Sequence, residues 1–448
     1  MIPQIWADRI SQQLDSSGFA RWDCLIVSSQ DRQVSWRNGE VEDFKETSDI
    51  GYGIRLWKDD RIALAYANDP SVEVIRQTIE KAAFMLSYAN PDPFNTISET
   101  IISGGTLPEP DDEITDRPIA KKMQLLNEIE KAIRAYDTRI SKIEHLGFSE
   151  SLDQMMYRTD KTEWFVQNSG YSGVGGEAIA EAAGDMEAGS AYEYKTRWSE
   201  INPEKLASRI AQSAIEQIGG RPIKTGRVPV VFDAEVIAHF LGTFIDLFSA
   251  DKVQNQRSVL AGKKGHLIAS PLVHLIDSAV LPYQIGSYSW DAEGTAGSIT
   301  PLIEKGILSE YLYDRRTAAK EHRLSTGHGH RHSYRVSPQI SPSNLILSAG
   351  THSQQELLSL FPECILVKQV MGMHTCNAVN GDFSVGLTGH WVEKGALIHP
   401  VKQVTLAGNW LTVLSDIVQI GNDVDNFPIH GNIITPSVAL KELNISGI

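Results

Sequence analysis

Four histidines crowd one short stretch: His322, His328, His330 and His332, within Glu321-His322-Arg323-Leu324-Ser325-Thr326-Gly327-His328-Gly329-His330-Arg331-His332. Imidazole is the commonest transition-metal ligand, and this density could hold such an ion. Arg331 stands among them and would oppose a cation, so a mobile polar loop with incidental histidines is the favoured reading. A second grouping is His374, Cys376 and His390. Strand alternation would put His374 and Cys376 on one face, where a neighbouring strand could add His390. A third is the helical run Asp233–Asp246, in which Glu235, His239 and Thr243 fall one turn apart. One Glu–His pair without a third ligand is more often a surface ion pair than a metal site. Ser325, Ser384 and Cys376 have no sequence signature tying them to a histidine base and an orienting carboxylate. Gly170–Gly176 has the spacing of neither phosphate-binding fingerprint and reads as a tight strand turn. The acidic Glu177, Glu181, Asp185 and Glu187 nearby read as a solvated face.

The elements that must position these residues divide the chain into four stretches. Residues 1–90 form a first α+β unit, with strand candidates at Asp23–Ser28, Gln33–Asn38, Gly51–Trp57 and Arg61–Ala67. Arg37-Asn38-Gly39-Glu40 and Lys58-Asp59-Asp60-Arg61 supply the polar turns between them. Asp69-Pro70 then opens a helix whose apolar stripe is Val72, Ile75, Ile79, Ala82 and Leu86. Residues 91–117, rich in proline and acidic side chains, read as a surface linker. Residues 118–220 repeat the first pattern: a helix from Pro118, strand candidates at Ser141–Ser149, Met155–Thr159, Glu163–Asn168 and Ala191–Trp198, and a helix opened by Asn202-Pro203. This similarity suggests an internal duplication. Residues 221–448 form a β-rich C-terminal domain. Without regular β-α-β alternation, the fold class is α+β.

Composition excludes several roles. The formal charge is −15, and such a surface repels nucleic-acid phosphate unless a basic patch reverses the field locally. The basic clusters, such as Arg315-Arg316 and Lys263-Lys264, are small, so no nucleic-acid partner is expected. No apolar run reaches the roughly 20 residues needed to span a bilayer, so no membrane partner is expected either. The N-terminus lacks a signal-type apolar stretch, which predicts a cytoplasmic protein. Cys24, Cys364 and Cys376 are too scattered for a disulfide framework and read as reduced thiols.

The C-terminal end carries the most specific pattern. Asn380-Gly381-Asp382-Phe383-Ser384 is followed by Gly389-His390-Trp391-Val392-Glu393-Lys394-Gly395, Leu406-Ala407-Gly408-Asn409 and Ile420-Gly421-Asn422-Asp423. Short apolar runs separated by Gly, Asn and Asp make a β meander. The order of these elements, together with Asp314–Gly327 and Arg37–Asp69, resembles the TldD/TldE (PmbA) family, also called modulators of DNA gyrase.

The resemblance implies paired subunits, one carrying a zinc peptidase site and one lacking it. In the zinc-bearing branch a His-Glu-x-x-His motif lies on the helix after the strand equivalent to Arg227–Phe232, and a cysteine ligand lies near the C-terminus. The corresponding segment here, Leu241–Asp246, has no histidine, and Gly421–Ile448 has no cysteine. This implies the TldE/PmbA branch, with no catalytic residues, cofactor or metal of its own. Zinc is expected in a TldD-type partner, as a heterodimer, with a homodimer as the other possibility. The implied substrate is an extended, unfolded or leader-containing peptide, gripped by strand addition. Asp382, Phe383, Asn422 and Asp423 are the candidates for supporting peptide or turn, with Asp382 and Asp423 capping their own turns. Two alternatives remain: a stand-alone homodimeric binding protein, and a metal-dependent enzyme using His322, His328, His330 and His332.

Overall fold

The computed structural model describes residues 2–98 and 107–448. Helix α1 (Gln4–Asp15) leads into strands β1 (Trp22–Arg37), β2 (Glu40–Lys58) and β3 (Arg61–Ala67), then helix α2 (Val72–Leu86). A short helix α3 (Glu113–Asp116) and helix α4 (Ile119–Tyr136) precede strands β4 (Ile140–Thr159), β5 (Phe165–Ala182) and β6 (Asp185–Lys195), and helix α5 (Pro203–Ile215) closes this half. Each unit is thus a helix, a three-stranded meander and a helix.

The two units are not separate bodies. Their strands form one six-stranded antiparallel sheet in the order β3-β2-β1-β4-β5-β6, with the first strand of each unit meeting at the centre. The strands are also longer than the sequence suggests. The polar stretch Ser29–Arg32 reads as a break, yet it is paired with β2 on one side and β4 on the other. A segment hydrogen-bonded on both edges stays extended without apolar alternation. Gly170–Gly176 likewise makes no turn. It runs through β5, where Gly175 lies under Tyr192, and a Cβ there would come 2.1 Å from that ring. Of the 91–117 linker, residues 99–106 lie outside the described residues.

Local chemistry sets the turns and helix starts. Asn38 and Gly39 adopt positive φ between β1 and β2, as do Asp59 and Asp60 between β2 and β3. The Asn202 side chain accepts from the Lys205 N–H, with Pro203 in the first helical turn. Helix α2 starts two residues later than Asp69-Pro70 suggests, because Asp69 Oδ1 takes the Ser71 N–H and leaves Ser71 at the cap. One core lies between α1, α2 and the first three strands, and a second between α4, α5 and the next three.

The C-terminal domain begins with β7 (Gly226–Phe232) and α6 (Ala234–Phe244). β7 lies inside a six-stranded sheet, between Glu363–Met371 and Val438–Ser446. A second six-stranded sheet includes Leu275–Ser278, Asn344–Leu347 and Asn432–Thr435. The largest core of the molecule joins them around α6. Among the described residues no helix is long and apolar enough to cross a membrane.

Candidate functional site

Helix α6 occupies the place where the sequence pattern points to family metal chemistry. Asp233 follows β7 and caps the helix, accepting from the Glu235 N–H at 3.2 Å while its other oxygen takes Lys368 Nζ at 2.8 Å. Within Leu241–Asp246, the side chains of Leu241, Phe244 and Ile245 are buried. Phe240 and Phe244 stack on Trp410 with centroids 5.5 and 5.7 Å away and ring planes within 4° and 14°. Phe383 meets Phe240 edge-on at 4.8 Å. The segment has no nitrogen or sulfur ligand, its one carboxylate, Asp246, is exposed, and its inward face is filled with carbon, so the residues present do not fit a zinc ion. His239 is half-buried on the same helix, and burial alone holds its imidazole below the ordinary range.

Phe383 is a core residue whose ring closes the aromatic cluster. Asp382, two residues past the turn, accepts from Asn380 Nδ2 at 2.7 Å and Asn409 Nδ2 at 2.9 Å, with Gly381 at φ 86° beside it. Asn422 donates its N–H to His352 O and its side-chain amide to Thr351 O. Asp423 does not cap its own turn. It receives the N–H and hydroxyl of Ser437 at 3.1 and 2.6 Å, tying the turn to the approach of the last strand. It also borders a polar cavity of about 250 Å³ with Glu216, Glu235, Lys368 and Asp425. Burial raises both glutamates, partly offset by Lys368. The acidic stretch on β5 and β6 is only partly solvated, because Asp185 and Glu187 both hold Lys402 Nζ of the C-terminal domain, at 2.8 and 2.6 Å.

The His-rich segment is no loose loop. His328 is fully buried, its Nε2 2.8 Å from Asp277 Oδ1 and its Nδ1 2.8 Å from Thr326 Oγ1. Ser343 bonds the same aspartate through both its hydroxyl and its N–H. His330 sits edge-on to Tyr288, with centroids 4.6 Å apart, and burial followed by the His328 charge pushes its pKa down to about 4. His322 and His332 are exposed. Among the described residues no group of three or more His, Cys, Asp or Glu side chains is arranged to hold a metal ion. His374 and Cys376 do not share a strand face either: Met373–Thr375 is a helical turn after a left-handed Gly372.

Sequence reasoning missed the junction between sheet and C-terminal domain. Asp23 on β1 is fully buried between Arg55 of β2 and Arg331, with the Tyr157 hydroxyl donating to it at 2.9 Å. Burial alone would raise this carboxyl, but Arg55 and then Arg331 outweigh it and hold it below the usual range. Glu293, 3.7 Å from Arg55, goes the other way: burial and then the Asp314 charge push it up to about 7. These partners lie up to 308 positions apart in the chain, so no local signal could reveal them.

Beside this junction runs a groove of about 360 Å³. One wall is the stretch Phe165–Tyr171 of β5, which pairs with β4 but lies before the residues that pair with β6. Among the described residues no strand covers that second edge. Tyr283, Tyr288 and Trp290 face it, and Gln167 Oε1 bridges the walls by accepting from Ser289 N at 2.7 Å.

Taken together, a shared antiparallel sheet, a β-rich domain and a groove beside their junction define an α+β protein. Comparison with known proteins makes the class specific. The chain matches PmbA/TldA metallopeptidase domain 1 over residues 22–86, the central domain over 112–218 and the C-terminal domain over 225–447. It is 27% identical to Metalloprotease PmbA of Escherichia coli O157:H7, over 92% of this chain and 89% of that one. Its fold matches the crystal structures of a candidate modulator of a DNA gyrase from Thermotoga maritima (TM-score 0.87, 24% identity, 99% and 100% of the two chains) and of TldE from Thermococcus kodakarensis (TM-score 0.86, 22% identity, 97% and 98%). The chain belongs to the PmbA/TldD metallopeptidase family.

Proposed function

We propose that this chain is the non-zinc, TldE/PmbA-like subunit of a two-subunit metallopeptidase, working in the cytoplasm on unfolded or leader-containing peptides. The observation that carries this reading is the filling of Leu241–Asp246. Where the zinc-bearing branch needs two histidines and a glutamate, this chain stacks Phe240, Phe244 and Trp410. A helix packed this way cannot turn ligands inward without losing its core.

The chain's contribution is shape and grip. An extended peptide can add to the open edge of β5 at Phe165–Tyr171 through backbone hydrogen bonds alone, which requires no fixed set of catalytic side chains. The partner is a TldD-type zinc subunit, and a chamber between two such chains implies an interface above roughly 2,000 Å². The acidic surface suits neither DNA nor RNA.

Reconstitution tests the reading. The chain alone leaves an unfolded peptide intact, light scattering detects a complex once a TldD-type subunit is added, and the complex cleaves the peptide. Cleavage by the isolated chain that a chelator abolishes would overturn the assignment.

A further inference from the structure

A cavity of about 420 Å³ lies between the His-rich segment and the Ile285–Ala292 loop. Met155, Ile285 and Trp290 give it an apolar lining, and His330 and Arg331 line it as well. The Arg331 side chain is completely buried, and its Nη2 donates to the two oxygens of Asp23 at 3.3 and 3.1 Å. Its Nε and Nη1 are buried with no partner among the described residues, and so is His330 Nε2. Unmet buried donors are costly, and the two on Arg331, next to a His330 ring nitrogen that donates in its Nε2–H tautomer, point to a missing acceptor. Among the described residues none is supplied. Asp291, the carboxylate on the wall, already receives the N–H groups of Glu293, Thr295 and Gly329.

We infer that this cavity binds a carboxylate, received by Arg331 and His330, with the apolar body of the ligand against Trp290 and Ile285. A monoanion fits better than a phosphate for two reasons. Either bidentate edge of a guanidinium uses Nη2, which Asp23 occupies here, so Arg331 offers single N–H groups and no fork. The buried Asp291 also opposes a second negative charge. The carboxylate can come from the C-terminus of a peptide or from an acidic side chain. The groove along β5 shares Gln167, Ile285, Tyr288 and Trp290 with this cavity, so a peptide on that edge reaches it directly. Only the choice of a peptide as the source rests on the function proposed above.

Calorimetry on the isolated full chain tests the site with 3-phenylpropanoate, its amide, inorganic phosphate, a short apolar peptide as free acid and as amide, and an amidated peptide carrying one internal glutamate. The acid should bind at least about tenfold more tightly than the amide, the scale of one lost charge-assisted hydrogen bond. Arg331→Lys keeps a cation for Asp23 but removes the two free N–H groups, and Ile285→Trp fills the cavity. Each should weaken acid binding by about tenfold or more. If Arg331→Lys melts well below the parent, Ile285→Trp decides alone. Preference for the free-acid peptide assigns the carboxylate to a chain end, and preference for the glutamate peptide assigns it to a side chain. Equal binding of acid and amide, tighter binding of phosphate, or an Ile285→Trp variant that binds like the parent would overturn the site. If phenylpropanoate binds and no peptide does, the carboxylate site stands and the peptide grip falls.

Discussion

Helix α6 and the sheet junction are both buried and both central, yet they are filled with opposite chemistry. Around α6 the space is carbon: Phe240, Phe244 and Trp410 in a stack, closed by Phe383. At the junction it is charge: Asp23 between two arginines, with Glu293 and Asp291 close by and two Arg331 nitrogens unmet. Carbon packing stabilises outright, whereas buried ion pairs at best roughly repay their desolvation. One place is thus closed by packing, and the other keeps polar groups that a ligand could meet.

The sharpest way to break this contrast is at its apolar end. Trp410→Ala removes one layer of the stack and should cost about 3–5 kcal/mol. Chemical denaturation followed by circular dichroism checks this. A cost below about 1 kcal/mol would mean that the site around α6 can reorganise, and the argument against ligands there would weaken.

The polar end is probed by pH. Glu293 titrates near 7 in the folded protein against an ordinary 4.5, so the fold binds its proton more tightly than the unfolded chain does. Its neutral form is the one the fold accepts, and this residue's contribution to stability declines as pH rises from about 4.5 through about 7. Glu293→Gln removes that loss. Relative to the parent, the variant should gain up to roughly 2–3 kcal/mol between pH 5 and pH 8. His330, pushed down to about 4, acts in the opposite sense at lower pH in both proteins and cancels in the difference. Parallel stability curves for parent and variant would show that Glu293 does not bear the junction's charge strain.

A smaller effect separates structure from chemistry at Asp423. Ala there loses the bonds to Ser437 and should cost about 0.5–2 kcal/mol, by analogy with lost caps. Asn keeps an acceptor and should leave assembly with the partner and cleavage intact. A collapse of cleavage in the Asn variant, with thermal stability unchanged, would show that this chain supplies a charge to the reaction.

Much of the scaffold was legible in the sequence because turns and caps are local. Asn38-Gly39, Asp59-Asp60 and Asn202-Pro203 each act within a few residues, and each does in the structure what its type suggests. The joining of two units into one sheet was not legible, because pairing on both edges holds the polar stretch Ser29–Arg32 extended and nothing in that stretch announces it. The His-rich segment misled for a related reason. Its composition suits a solvated loop, but Asp277, some fifty positions earlier, gives His328 a buried partner. Phe383 reads in the sequence as a support for peptide or turn because a turn flanks it. Only the three-dimensional approach of Phe240 shows that it belongs to the core. The candidate site lies where distant segments meet, so its chemistry appeared only in the fold.

Elemental analysis tests the central claim most directly, on the chain purified alone and on its complex with a TldD-type subunit. The account predicts no stoichiometric zinc in the isolated chain and one zinc per complex, lost when the partner's ligands are replaced. One tightly held zinc per isolated chain, retained after dialysis and lost on replacing His239, would contradict it.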